Sequence, residues 1–356
     1  MRLQEVGKLN RKKLKHITKY RLFWPIVCLI LVLLFNLIKT PTFFKVSINS
    51  NGVLYGYIID IINRSSELII LAVGMTLCVA SSAGTDISVG ATMAVAGAVC
   101  CSILGSGEAY NAPYFVGILG ALLVAVLCGA WNGFLVAKLK IQPMVATLIL
   151  FTAGRGIAQL ITGGNILYIK VDNFKYLGST LPHVPVPTPI FVAIGVVILT
   201  YLLLKKTALN MYIQSVGINS KASRLLGLNS TLIIFLTYMF CGLCAGIAGV
   251  IATSRIYSID ANNVGLNLEL DAILAVALGG NSLGGGKFSL AGSVIGAITI
   301  QALSTSLYAM GVSADQLPVY KAVVVILIVT LQSPEFKKFV NHQKQKRVEK
   351  IGEKVA

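Results

Sequence analysis

The chain has 356 residues, 56% of them hydrophobic and only 12% charged, and its mean hydropathy of +0.80 lies outside the range of water-soluble domains. A net charge of +17 would suit a nucleic-acid partner, but the cations gather in short stretches between and beyond long apolar runs. They read as topology signals lying against anionic membrane lipid, not as a nucleic-acid surface.

Residues 1–21 form a basic tail, and the apolar run 22–38 follows it without a small-residue cleavage site, so this run reads as a retained first helix and not a signal peptide. Further apolar runs occupy 68–83, 89–104, 114–137, 143–162, 189–204, 231–253, 268–279, 290–310 and 317–332. About ten crossings of a hydrocarbon core of about 30 Å are predicted, some short or broken, in a single membrane domain over 22–334. The expected fold is therefore an all-α polytopic membrane protein. Placing both termini in the cytoplasm puts Lys138, Lys140, Lys205, Lys206, Lys221, Arg224 and Lys287 inside together with the basic tails 1–21 and 335–356, and leaves few cations outside.

Two glycine-rich breaks interrupt the pattern. The first, Gly84-Thr85-Asp86-Ile87-Ser88-Val89-Gly90, sets a carboxylate and two glycines in a membrane-length run. Irregular backbone is tolerated at such depth only where protein buries it or a cavity adjoins it, so the segment points to a polar transport route. Asp86 and Ser88 stand where a half-helix begins, and a capping role there is favoured over direct contact with a cargo. The second break runs from Ala277 to Lys287 and resembles a phosphate loop only superficially. The Walker pattern needs a glycine five residues before the glycine of Gly-Lys and a hydroxyl residue after the lysine, and Asn281 and Phe288 hold those places. ATP must therefore be bound elsewhere.

Arg155, in Gly154-Arg155-Gly156, is an ionisable group within a span, with Asn132, Gln142 and Gln159 as polar company. It reads equally as a pathway residue and as a group bonded to neighbouring carbonyls or snorkelling to an interface. Asp86, Ser88, Asn132, Arg155, Gln159 and Asn281 are the candidates for the pathway or its gating. Glu269 and Asp271 open the eighth span and suit a helix N-terminus. The seven cysteines, all in apolar runs, read as small hydrophobes, and Cys241-Gly242-Leu243-Cys244 reads as helix packing on a small-residue face formed with Gly246. No metal-ligand spacing appears, and His16, His183 and His342 all lie outside the spans. No catalytic constellation appears either, so a membrane enzyme is disfavoured.

The longest outer connection, 163–188, holds Pro182, Pro185 and Pro187, which rule out a continuous helix through its second half. The longest inner connection is 205–230. Within it Asn219-Ser220-Lys221-Ala222-Ser223-Arg224-Leu225-Leu226-Gly227 carries a cap residue, an apolar side, a late cation and a terminal glycine, which together predict a short helix. So short a helix is marginal alone and is expected to dock on a partner.

From about Ile62 to Gln332 the sequence resembles the permease subunits of bacterial ABC importers for ribose, galactose, xylose and related sugars. The resemblance rests on Gly74-Met75-Thr76, the first break, and Glu269-Leu270-Asp271-Ala272-Ile273-Leu274-Ala275-Val276-Ala277-Leu278-Gly279-Gly280 with Gly285-Gly286. Trp131-Asn132-Gly133, Lys140-Ile141-Gln142-Pro143, Gly154-Arg155-Gly156 and Asp260-Ala261-Asn262-Asn263 bring it nearest to the galactofuranose-type permeases. Where that family has Gly-Gly-Ile-Asp-Leu-Ser, this chain has Ala83-Gly84-Thr85-Asp86-Ile87-Ser88, keeping the carboxylate and hydroxyl but not the first glycine. The resemblance implies a multi-pass protein of the bacterial inner membrane that pairs with a second permease, identical or different, and receives a galactofuranose-, galactose- or ribose-like sugar from a periplasmic binding protein. It further implies that the chain binds no cofactor itself, that ATP is used by cytoplasmic ATPase subunits, and that the short helix from Asn219 to Gly227 couples to them. An ion-coupled carrier or channel for a small polar solute is the alternative reading of the residues.

Overall fold

The computed structural model describes residues 22–48, 52–105, 109–182 and 184–332. Both basic tails, and with them His16 and His342, lie outside the described residues, as does His183. Every apolar run becomes a helix, since only internal hydrogen bonding satisfies the backbone in hydrocarbon. The helices are α1 (Phe23–Lys39), α2 (Tyr57–Ser82), α3 (Val89–Leu104), α4 (Tyr114–Gly133), α5 (Pro143–Thr162), α6 (Thr188–Lys206), α7 (Leu209–Ile218), α8 (Ser220–Leu225), α9 (Ser230–Ile256), α10 (Leu268–Leu278), α11 (Leu290–Ala309) and α12 (Leu317–Gln332). Six of them, α2, α5, α6, α9, α11 and α4 with its continuation to Lys138, are long and apolar enough to cross a membrane unaided. The other predicted spans are helical but shorter, α10 having only 11 residues.

α2 is the axis of the bundle. Its most apolar window is 89% buried, against 22% for α4 and for α6. It packs on α9, α11, α6, α10 and α7, while α9 packs in turn on α4 and α3, and α5 lies against α3. Small residues permit the closest approaches: a side chain on Gly242 of α9 would strike the Ala125 carbonyl and the Gly129 backbone of α4, and one on Gly74 would meet the Cα of Cys241 at 3.0 Å. The Cys241–Gly246 stretch thus packs helix against helix, with both cysteines buried. Thr76 and Ser293 are hydrogen-bonded at 2.6 Å across α2 and α11, and Ser81 and Thr237 at 2.7 Å across α2 and α9. Such a bond contributes about 0.6 to 2 kcal/mol between helices in a membrane.

Several expected boundaries move. The predicted run 68–83 begins as a helix at Tyr57, because the polar turn holding Asn63 and Glu67, which carries its own cation in Arg64, also finds a partner on α9. Arg255, at the end of α9, pairs with Glu67 at 3.1 Å and donates to the Asn63 carbonyl at 3.3 Å. α4 passes into a π-helical stretch, Phe134–Lys138, and the chain then reverses through Lys140 at φ 58°. The inner connection 205–230 contains α7 as well as the expected short helix. The outer connection adds a little sheet to the all-helical expectation: β3 (Leu167–Tyr168) pairs with β4 (Ser258–Ile259), as β1 (Ser47–Ile48) does with β2 (Leu54–Tyr55).

Candidate functional site

The first break spans Ala83 to Ser88. Ala83 ends α2 in the left-handed region at φ 54°, the place where the resembled family has glycine, and its N–H donates to the Val79 carbonyl at 3.1 Å. Gly84 then presses on the Pro143 ring at the start of α5, leaving no room for a side chain. Asp86 is 2% exposed. Its Oδ1 accepts from the Ser88 amide at 2.9 Å, the Ser88 hydroxyl at 2.6 Å and the Asn132 amide group at 3.3 Å, and Asn132 also donates to the Ser88 Oγ at 2.7 Å. The carboxylate therefore ties the turn ahead of α3 and does not cap the α3 amides, while Ser88, the residue before α3, makes no side-chain cap. Asn132 belongs to this cluster and is not the expected company of Arg155.

Cys78 and Cys241 bring their sulfur atoms close to Asp86, all three ligand atoms lying within 4.8 Å of one another. Spacing gave no sign of this group because its members come from three segments. The Cys78 thiol donates to the Thr237 carbonyl at 3.3 Å, Asp86 is occupied as described, and Cys241 is hydrogen-bonded to both, so hydrogen bonds within the protein already engage all three.

The second break meets the first. The Gly286 amide donates to the Ala80 carbonyl at 2.9 Å, and Gly285, at φ 81°, faces Ala83. Gly217, in the last turn of α7, lies so close to the Ala80 carbonyl and the Gly286 amide that only glycine fits. Asn281 fastens the rest of this loop, donating to the Ser293 hydroxyl at 2.7 Å and the Val276 carbonyl at 3.2 Å and accepting from the Ser289 amide at 2.6 Å. The two breaks and the approach to α8 thus form one junction at the cation-rich end of the bundle.

α8 itself follows from its sequence. Asn219 accepts from the Lys221 and Ala222 amides at 3.1 and 3.0 Å, and the chain leaves through Gly227 at φ 84°. Leu225 and Leu226 are 90% and 82% exposed.

A second polar group lies at the far end of α5. Arg155 Nη1 donates to the carbonyls of Val264 at 2.6 Å, Asn262 at 3.1 Å and Ala261 at 3.2 Å, and Gln159 donates to the Asn262 side chain. Asp260 shapes the same loop by accepting from Asn262 N at 2.9 Å and Asn263 Nδ2 at 2.6 Å. Arg155 Nη2 and Glu269 Oε2 are both buried without a hydrogen-bond partner. Glu269 and Asp271 do occupy the first turn of α10, but Asp271 also pairs with Lys321 of α12 at 2.7 Å, a partner not visible in the sequence. Gln142 stands at the N-terminus of α5, remote along that helix from Arg155.

A membrane bundle whose two breaks meet beneath an exposed helix could serve a channel or a pump. The model of the family described as branched-chain amino acid transport system / permease component matches residues 57–331. The chain belongs to this family. This permease is 46% identical over 323 residues to the galactofuranose transporter permease protein YtfT of Escherichia coli K12, covering 89% of this chain and 93% of that protein. It is 40% identical over 345 residues to the fructose import permease protein FruF of Bifidobacterium longum, covering 96% and 95%. It is 37% identical over 278 residues to the ribose import permease protein RbsC of Escherichia coli K12, covering 77% and 84%. No solved structure matches this permease.

Proposed function

We propose that this permease is the membrane subunit of an ATP-driven ABC importer in the bacterial inner membrane and provides the route for a monosaccharide. A periplasmic binding protein delivers the sugar, a second permease subunit completes the route, and separate cytoplasmic ATPase subunits hydrolyse ATP. The names of the relatives, which specify galactofuranose, fructose and ribose, support a sugar cargo. Physical chemistry supports a polar route: each sugar hydroxyl stripped of water without a replacement costs a few kcal/mol, so lipid is no path for it. Arg155, Gln159 and Asn262 on one side and Asp86, Ser88 and Asn132 on the other are the groups we assign to lining or shaping that route, and Asn281 to its gate.

One observation carries the reading. α8 exposes two adjacent leucines at its end, and through Gly217 the helix before it touches the second break at Gly286 and the last turn of α2 at Ala80, just ahead of the first break. A push on α8 from an apolar cleft of the ATPase is thereby delivered to the two places where the membrane helices are interrupted. Replacing Leu225 and Leu226 by Glu removes the docking anchors, each worth about 1.5–3 kcal/mol when fully buried. Uptake of labelled sugar into cells should be lost, and the ATPase should no longer copurify, while the permease stays in the membrane. Undiminished uptake by this variant sinks the reading.

A further inference from the structure

The inner connections 134–142, 205–230 and 279–289 contain no carboxylate at all. Among the described residues the ion pairs are Lys175–Asp172, Arg255–Glu67 and Lys321–Asp271, so the cations of those connections have no counter-charge within the described chain. One of them, Lys138, lines a cavity, and a second, Arg224, bonds to another residue of its lining. A hollow of about 450 Å³ opens between the π-helical end of α4 and the start of α9, walled by Phe134, Ala137, Leu232 and Phe235 and rimmed by Lys138 and Thr231. Arg224, reaching across from α8, donates to the Thr231 hydroxyl at 2.8 Å. Phe134 and Leu232 are 43% and 49% exposed.

An occupant of this cavity must be anionic at one end and apolar along its flank. A soluble acidic protein meets the first condition and leaves the aromatic wall uncovered, and a free anion does the same. A phospholipid meets both, and basic pockets between helices on the cytoplasmic side are where such headgroups bind. We propose that this cavity binds an anionic phospholipid of the cytoplasmic leaflet, its phosphate on Lys138 beside the Arg224–Thr231 contact and its glycerol and first methylenes along Phe134, Leu232 and Phe235. The lipid reaches the transport machinery through Arg224, which it would hold in place on α8. The inference rests on the cavity and not on the cargo, so it is tested without transport.

The test is native mass spectrometry of the full chain exchanged into micelles containing dioleoylphosphatidylglycerol and dioleoylphosphatidylcholine. The wild type should retain phosphatidylglycerol in preference. Lys138→Ala and the stem-preserving Lys138→Gln should lower that preference about fivefold, the effect of one cation near a charged lipid. Lys140→Ala, which alters a cation outside the cavity, should keep it. Three results would overturn the proposal: equal retention of both lipids by the wild type, equal loss in the Lys138 and Lys140 variants, or release of the bound lipid by millimolar inorganic phosphate.

Discussion

Gly217 and Gly156 are both helical glycines in opposite surroundings. A Cβ on Gly217 would run into the Ala80 carbonyl and the Gly286 amide, neither of which can move without opening the junction, whereas one on Gly156 meets nothing within 4 Å. Gly217→Ala should therefore destabilise the protein by about 1–3 kcal/mol through overpacking, and Gly156→Ala should stabilise it by about 0.5–1 kcal/mol through helix propensity. Thermal unfolding in detergent distinguishes them, and a neutral Gly217→Ala would contradict the tight junction described above. At this scale the sequence exposes which residues are unusual but not what they touch. Asp86 and Arg155 stand out because each is charged in an apolar run, and Asn281 because it is polar in a glycine-rich break. Their partners, Asn132, the carbonyls of Ala261 to Val264, and Ser289 with Ser293, come from other segments, and only the fold brings them together. Ala83 carries the opposite lesson: nothing in an alanine announces a left-handed backbone, and only the family's glycine at that place hints at it.

The glycine breaks and α8 were legible as elements because local chemistry makes them. Glycine, a cap residue and a turn are short-range signals, and Asn219 and Gly227 act as their types dictate. α7 was not legible, since its ten residues lie in a mixed polar and apolar stretch and look like loop. The early start of α2 was hidden for a different reason: its polar first turns look unfit for burial until Arg255 is placed beside Glu67. Asn281 shows how one side chain can hold an element that lacks regular structure. Its four hydrogen bonds join the end of α10, the loop and α11. Asn281→Ala should cost about 1–3 kcal/mol, since the partners left behind are buried. It should also speed tryptic cleavage at Lys287 in detergent solution, and a cleavage pattern identical to that of the wild type would count against this role.

For the whole molecule, hydropathy points to the membrane class and charge to an expected orientation, while the depth of each helix in the bundle depends on packing that no single run reveals. α2 and α4 are both apolar, yet one is the axis and the other largely peripheral. The orientation yields a direct check. The native cysteines are buried, except for the half-buried Cys128, so single new cysteines give a clean signal. Lys140→Cys should react with a membrane-impermeant maleimide only in inside-out vesicles, and Lys170→Cys only from the outside of intact cells. Labelling of both from one side would overturn the arrangement.

The pairing of Glu67 with Arg255 also has a bearing on how the protein is made. Arg255 stands 192 residues beyond Asn63, which it also holds, so the ribosome completes α2 long before the residue that pairs with Glu67 exists, leaving Arg64 of the same helix as its nearby cation. A carboxylate cannot rest comfortably among acyl chains in the meantime. The ion pair that joins the axis to α9 can therefore form only once α9 has emerged. The centre of the finished bundle is consequently among the last of its parts to settle.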